Sequence, residues 1–171
     1  MMERGLVVAG RYRIIDLLGA GGMAEVMLAE DVARGRLVAL KRGLAGELTT
    51  AMVAREARIL SRFDHPGVVR VEDAFELDGR AHAVLELVRG TDLAAPRSRG
   101  RCPAALPRLI AGIARALAYI HDRGTVHLDI KAENVMVDAC GEPRLVDFGI
   151  AACVDEPYPT AHGLLLGTPR A

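Results

Sequence analysis

The amino-acid sequence predicts an α+β fold in two lobes: a five-stranded antiparallel sheet with one helix over residues 1–88, then a mainly helical part over residues 89–171. Three observations carry this. Five short β-forming runs crowd the first half, Tyr12–Leu18, Glu25–Ala29, Leu37–Lys41, Val68–Ala74 and Ala81–Val88, separated by Gly, Asp or Arg clusters. Helical periodicity is confined to one segment inside that series and one longer segment after it. The chain changes character after Gly90, where a polar connection containing Pro and Arg runs to Pro103.

Composition sets the outer limits. With 171 residues, 51% of them hydrophobic, the chain can bury a real core. Basic and acidic residues balance at 22 each, which argues against nucleic acid or an anionic membrane as the main partner. No stretch approaches the roughly 18 apolar residues of a membrane span, and Met1–Gly10 is too short and interrupted for a secretory signal, so a cytoplasmic location is expected. Cys102, Cys140 and Cys153 have neither metal-ligand spacing nor an even count and are read as reduced, structural thiols. Of the 22 basic residues only Lys41 and Lys131 are lysines. A compact ammonium does chemistry that a planar guanidinium does not, although codon bias in a GC-rich genome explains two surviving lysines equally well.

The elements follow in chain order. Leu18-Gly19-Ala20-Gly21-Gly22-Met23-Ala24-Glu25-Val26 joins the first two strands, and its glycines would let backbone amides approach a phosphate chain, as they would in any glycine-rich hairpin. A dinucleotide fingerprint is disfavoured because a strand, not a helix, follows the glycines. In the third strand, Val38-Ala39-Leu40-Lys41, alternation puts Ala39 and Lys41 on one face. A helix is predicted from an N-cap at Thr49 or Thr50 to the turn at Asp64-His65-Pro66-Gly67. Glu56 shares the inward face of Met52, Val53, Ile59 and Leu60, where a carboxylate requires a cation, and Lys41 is its natural partner. Leu87–Gly90 is the hinge between the halves. The longer helix keeps Leu106, Leu109, Ile110, Ile113, Leu117 and Ile120 on one face and stops at Gly124.

Beyond that helix, His127-Leu128-Asp129-Ile130-Lys131-Ala132-Glu133-Asn134 lies in a loop before a short strand at Val135–Val137. A carboxylate, an ammonium and an amide oxygen at this spacing can converge to orient a hydroxyl proton, neutralise a moving phosphoryl group and bind Mg²⁺. Asp147-Phe148-Gly149 then places a hard oxygen ligand at the end of the strand Arg144–Val146. His127 is read as a scaffold histidine, and His65, His82, His121 and His162 as turn or surface residues.

In this order, from Tyr12 to Arg170, the motifs resemble those of eukaryotic-type protein serine/threonine kinases of bacterial character. The resemblance implies a protein-kinase-like bilobal fold and Mg²⁺-dependent transfer of the terminal phosphate of ATP to a Ser or Thr of a protein substrate. By it, Leu18, Gly19, Gly21, Val26 and Ala39 would enclose the nucleotide, and Lys41, paired with Glu56, would contact the α- and β-phosphates. Leu85 would be the gatekeeper, with Glu86 to Val88 against the adenine. Asp129 would be the catalytic base, Lys131 the phosphate-facing lysine, and Asn134 and Asp147 the Mg²⁺ ligands. Lys131 and Gly167-Thr168-Pro169 favour Ser/Thr over Tyr as acceptor. Both lysines of the chain then fall at catalytic positions, which codon bias does not explain.

Three departures accompany the match. Ala24 replaces the third glycine of the loop, at a cost of roughly 1–2 kcal/mol where a left-handed backbone is needed, so weaker closure over ATP is expected. Leu128 stands where many kinases carry arginine, so Tyr158, Thr160 and Thr168 are not expected to activate through a tether at that position. The chain stops at Ala171, where the family continues with its Ala-Pro-Glu segment and several helices. A truncated product or a fragment of a longer kinase is expected, with several hundred Å² of the Leu106–Ile120 face, on the order of a functional patch, left for a partner or a missing C-terminal segment. Two other readings compete: a nucleotide-binding or scaffold module without turnover, and a small-molecule phosphotransferase, the latter disfavoured by the glycine loop and the Asp-Phe-Gly form.

Overall fold

The computed structural model describes residues 4–95 and 106–154. The expectations placed on Cys102, Pro103, Tyr158, Thr160, His162 and Gly167-Thr168-Pro169 lie outside the described residues.

The first half folds into one antiparallel sheet built from β1 (Val7–Val8), β2 (Tyr12–Ala20), β3 (Ala24–Asp31), β4 (Arg36–Gly43), β5 (Val71–Leu77) and β6 (Arg80–Glu86), in the order β1-β2-β3-β4-β6-β5. The five expected strands are present, with β1 as an additional two-residue edge paired to the start of β2. A two-residue strand has no period to read. The fourth strand is displaced from its expected start at Val68 to Val71. Val68 and Val69 serve another strand instead: Val69 N–H donates to Leu145 O (3.0 Å), and Val68 bridges Leu145 in parallel.

Central strand β4 shows why the alternation matters. Val38 and Leu40 enter a core on the outer face of the sheet with Tyr12, Met27 and Val84, while Ala39 joins the larger core on the inner face. At the outer rim, Tyr12 Oη donates to Asp73 (2.8 Å) and the Arg11 fork grips the buried Asp31 (2.8 and 2.7 Å). Helix α1 (Glu47–Leu60) covers the inner face, with Met52, Val53, Glu56, Ile59 and Leu60 all buried. Its N-cap is Gly46, at φ +137°, rather than Thr49 or Thr50. Thr49 and Thr50 lie inside the first turn, and the Thr49 hydroxyl donates back to the carbonyls of Leu44 (2.6 Å) and Gly46 (2.9 Å).

The second half contains β7 (Gly90–Asp92), α2 (Leu106–His121), β8 (Thr125–Val126), a 3-10 turn (Ala132–Asn134), β9 (Val135–Asp138), β10 (Pro143–Leu145) and β11 (Ala152–Cys153). Strands β10-β9-β7 form a small antiparallel sheet, and β11 pairs with β8. Gly90 permits the closest approach: a Cβ there would stand 2.0 Å from Val137 O. Helix α2 stops at His121 and the turn after it closes at Gly124 (φ +67°), the expected terminator, but its buried line is Gly112, Ala116 and Ile120. Small residues let the helix approach β10, where a Cβ on Gly112 would meet Pro143 at 2.5 Å. Of the expected apolar face, Leu106 and Ile110 are 54% and 57% exposed. His82, read from sequence as a turn or surface residue, is in fact buried within β6 and stacks on Phe75 at 4.9 Å, because strand alternation places it on the packed outer face.

Candidate active site

A cleft of about 890 Å³ lies between the inner face of the first sheet and the β7–β9 region, and every site residue expected from sequence except Lys131 lines it. The hairpin joining β2 to β3 forms its roof, closed by Gly21 N–H donating to Ala24 O (2.9 Å). Ala24 is absent from the non-glycine residues of positive φ among those described, so the strain expected of a left-handed alanine does not arise.

The β4 alternation delivers Lys41 to the cleft. Its ammonium touches Glu56 Oε2 at 2.6 Å and Asp147 Oδ1 at 2.7 Å. Glu56, 2% exposed, uses its other oxygen to accept the Phe148 N–H (3.1 Å), so one buried carboxylate on α1 fixes both the lysine and the Asp-Phe-Gly turn. Burial alone would pull the Lys41 ammonium down, but Glu56 and Asp147 outweigh it and hold it above its ordinary range. Burial likewise pushes the Asp147 carboxyl up, and Lys41 overcomes this to leave it low and ionised. Phe148 is fully buried, packed on His127 (4.5 Å) and Phe63 (5.8 Å).

The loop 127–134 forms the floor. Asp129 Oδ2 accepts from Lys131 Nζ (2.7 Å) and Asn134 Nδ2 (2.8 Å), and Asn134 Nδ2 also reaches Asp129 O (2.9 Å). Lys131 is thus part of the cluster although it does not line the cleft. His127 behaves as a scaffold: Nδ1 accepts the Asp129 N–H (3.3 Å), which leaves Nε2–H to donate to Val146 O (3.2 Å). Burial lowers its pKa and keeps the ring neutral. Leu128 (φ +63°) and Asp147 (φ +61°) both hold left-handed backbone, which for non-glycine residues concentrates at sites where geometry outranks local comfort.

The oxygens on hand suit a magnesium ion. Asn134 donates through Nδ2, which leaves its amide oxygen for a cation, and Asp147 commits only Oδ1 to Lys41. The two residues are brought together by Val146 N–H donating to Asn134 O (3.0 Å). One or two protein oxygens, completed by phosphate and water, is the usual provision for Mg²⁺.

Sequence reasoning missed Asp92 and Met136, which also line the cleft. Met136 had a readable signal, since it alternates with the buried Val135 on β9. Asp92 had none, because β7 is only three residues long.

Residues 12–169 match the protein kinase domain family. The chain is 43% identical to serine/threonine-protein kinase pkn2 of Myxococcus xanthus, over 96% of this chain and 21% of that one. It is 40% identical to serine/threonine-protein kinase PknE of Mycobacterium tuberculosis, over 93% of this chain and 29% of that one. It therefore spans between a fifth and a third of the length of these relatives. Among solved structures it is similar to the apo form of PpkA-294, with a TM-score of 0.78 and 26% identity, covering 87% of this chain and 62% of that one. Among the described residues no helix is long and apolar enough to cross a membrane.

Proposed function

The chain belongs to the protein kinase family, and on that premise we propose that it carries the residues for ATP-dependent phosphoryl transfer to Ser or Thr hydroxyls of protein substrates. The observation that carries this reading is the Lys41 ammonium set between Glu56 and Asp147, 2.6 and 2.7 Å from each. Residues 1–88 act as the nucleotide-covering lobe and residues 89–171 as part of the lobe that holds the acceptor. The cytosol, where ATP is held, is the proposed compartment.

In the proposed reaction Leu18, Gly19, Gly21, Val26 and Ala39 enclose the nucleotide, with the adenine against residues 86–88 under Leu85. Lys41, oriented by Glu56, holds the α- and β-phosphates. Asn134 and Asp147 would hold Mg²⁺, which would supply positive charge to neutralise the phosphate oxygens. Asp129 orients the acceptor hydroxyl and takes its proton as the hydroxyl oxygen bonds to the γ-phosphorus and the bond to the β-γ bridging oxygen breaks, releasing ADP. Lys131, whose pKa the bonded Asp129 raises, stays charged and faces the transferring group. The exposed Leu106 and Ile110 suit a covering partner or a further segment of chain.

Incorporation of radiolabelled phosphate from Mg-ATP into a generic protein substrate tests the reading. Replacing a positioned general base removes about 10²- to 10⁴-fold of rate, so Asp129→Asn is expected to drop incorporation by at least about 100-fold. An unchanged rate removes Asp129 from the role given to it. Tight Mg-ATP binding by the unaltered chain with no transfer to any protein favours the module without turnover.

A further inference from the structure

Glu86 ends β6, and the chain then crosses to β7 through residues 87–89 with no regular structure. That short link is the covalent connection between the two sheets at the cleft. A second connection spans the same gap. Glu86 Oε1 accepts from the Arg144 guanidinium (2.8 Å) on β10, and also from the Arg70 N–H (3.0 Å). The Glu86 N–H in turn donates to Arg70 O (2.9 Å). Arg144 itself does not line the cleft, whereas Glu86, Leu87 and Val88 do.

The setting separates this pair from an ordinary surface ion pair. Its side chains are 26% and 21% exposed, so it is only partly screened by water. Strand β10 is held on both sides, by β9 and by residues 67–69, through Leu145 N–H to Gly67 O (2.8 Å) and Val69 N–H to Leu145 O (3.0 Å). A guanidinium on so fixed a strand can fix what it grips. Arg144 also stands three residues before Asp147, on the segment that carries the phosphate end of the cleft.

We propose that Arg144 is a positioning residue for the base end of the nucleotide: by holding the Glu86 carboxylate it sets the backbone of residues 86–88 against which the adenine rests. This rests on the reading of the cleft as a nucleotide site. The base affinity is then set partly from the opposite lobe, by a side chain that never touches the ligand.

The test measures binding of three probes by titration calorimetry: adenosine, Mg-ATP and Mg-tripolyphosphate. In Arg144→Met the Kd for adenosine and for Mg-ATP is expected to rise about tenfold, equivalent to about 1.4 kcal/mol, while that for tripolyphosphate stays within about twofold. Arg144→Lys, which keeps a donor on the same strand, is expected to restore both base-bearing probes to within about threefold of the unaltered chain. Unchanged adenosine affinity overturns the proposal. Equal weakening of all three probes does so too, because it marks general loosening. If Arg144→Met does not fold, Glu86→Gln is measured in its place with the same expected contrast between probes and the same overturning results. Failure of the unaltered chain to bind Mg-ATP is a separate result that removes the nucleotide reading and this inference with it.

Discussion

At Lys41 two carboxylates share one ammonium, and the balance of charge there has separable consequences for stability and for chemistry. Glu56 is 2% exposed and burial holds its carboxyl above the ordinary range even with Lys41 beside it, so removing the lysine leaves a buried carboxyl without the cation that offsets its burial. Breaking a buried pair from one side costs about 3–5 kcal/mol, whereas replacing both charges by neutral groups of similar shape is close to neutral. Lys41→Met should therefore lower the free energy of unfolding by about that amount in denaturant titrations without nucleotide. Adding Glu56→Gln should recover most of it, because the Gln oxygen still accepts the Phe148 N–H. Neither variant should transfer phosphate. Were the double variant as unstable as the single one, the lysine's contribution would lie in packing rather than charge. Much of this site is legible in the sequence for a stated reason: lysine is rare in this chain, and a carboxylate on an apolar helix face demands a cation. The Glu86–Arg144 pair is not legible. Its residues are 58 apart, and neither period nor charge pattern singles them out.

Element by element, what the sequence shows depends on whether a neighbour competes for the same residues. Strands β2, β3, β4 and β6 and helix α1 fall where local patterning puts them, give or take a few residues at the ends. The fourth strand shifts because Val68 and Val69 are taken by β10, a pairing between distant segments that no local window contains. Helix α2 runs over Leu106–His121 within the described residues, but its hydrophobic period points to Leu106 and Ile110 while close packing selects Gly112 and Ala116. The same reliance on close backbone approach makes β7 fragile. A Cβ on Gly90 would stand 2.0 Å from Val137 O and 2.7 Å from Val137 C, both backbone atoms that cannot rotate aside. Gly90→Ala must then part β7 from β9, and a thermal unfolding curve should show a loss of about 1–3 kcal/mol, the range for overpacking a tight site. Because β7 follows the hinge directly, the Kd for Mg-ATP should rise in parallel. A variant as stable as the parent would show that β7 is free to move.

For the whole molecule, two apolar cores divide the work. The larger one runs from the inner face of the sheet through Ile59, Leu60 and Phe148 to Ala116 and Ile120, so the two halves share a single interior. The smaller one closes the outer face of the sheet, and His82 lies beside it, stacked on Phe75, which stacks in turn on Tyr12 at 5.7 Å. Burial, followed by the nearby Arg42 and Arg80, depresses the His82 pKa below its ordinary 6.5, and burial with Arg115 and Arg123 does the same for His65 where it packs on Tyr119. The sign follows from which state takes up the proton. Above pH 6.5 both rings are neutral folded or unfolded, and their contribution to stability is fully present. As pH falls from 6.5 towards the depressed folded values, the unfolded chain gains protons that the folded one refuses, and that stability is lost. His127, whose pKa burial depresses in the same way, adds to the loss over this interval. The thermal midpoint measured without nucleotide should therefore fall between pH 7.5 and 5.5. His82→Gln, neutral throughout, should lower the midpoint at pH 7.5 through lost stacking yet flatten its dependence on pH. A slope identical to that of the parent would mean that the buried imidazole keeps its ordinary pKa, and that the outer core admits charge more readily than its packing implies.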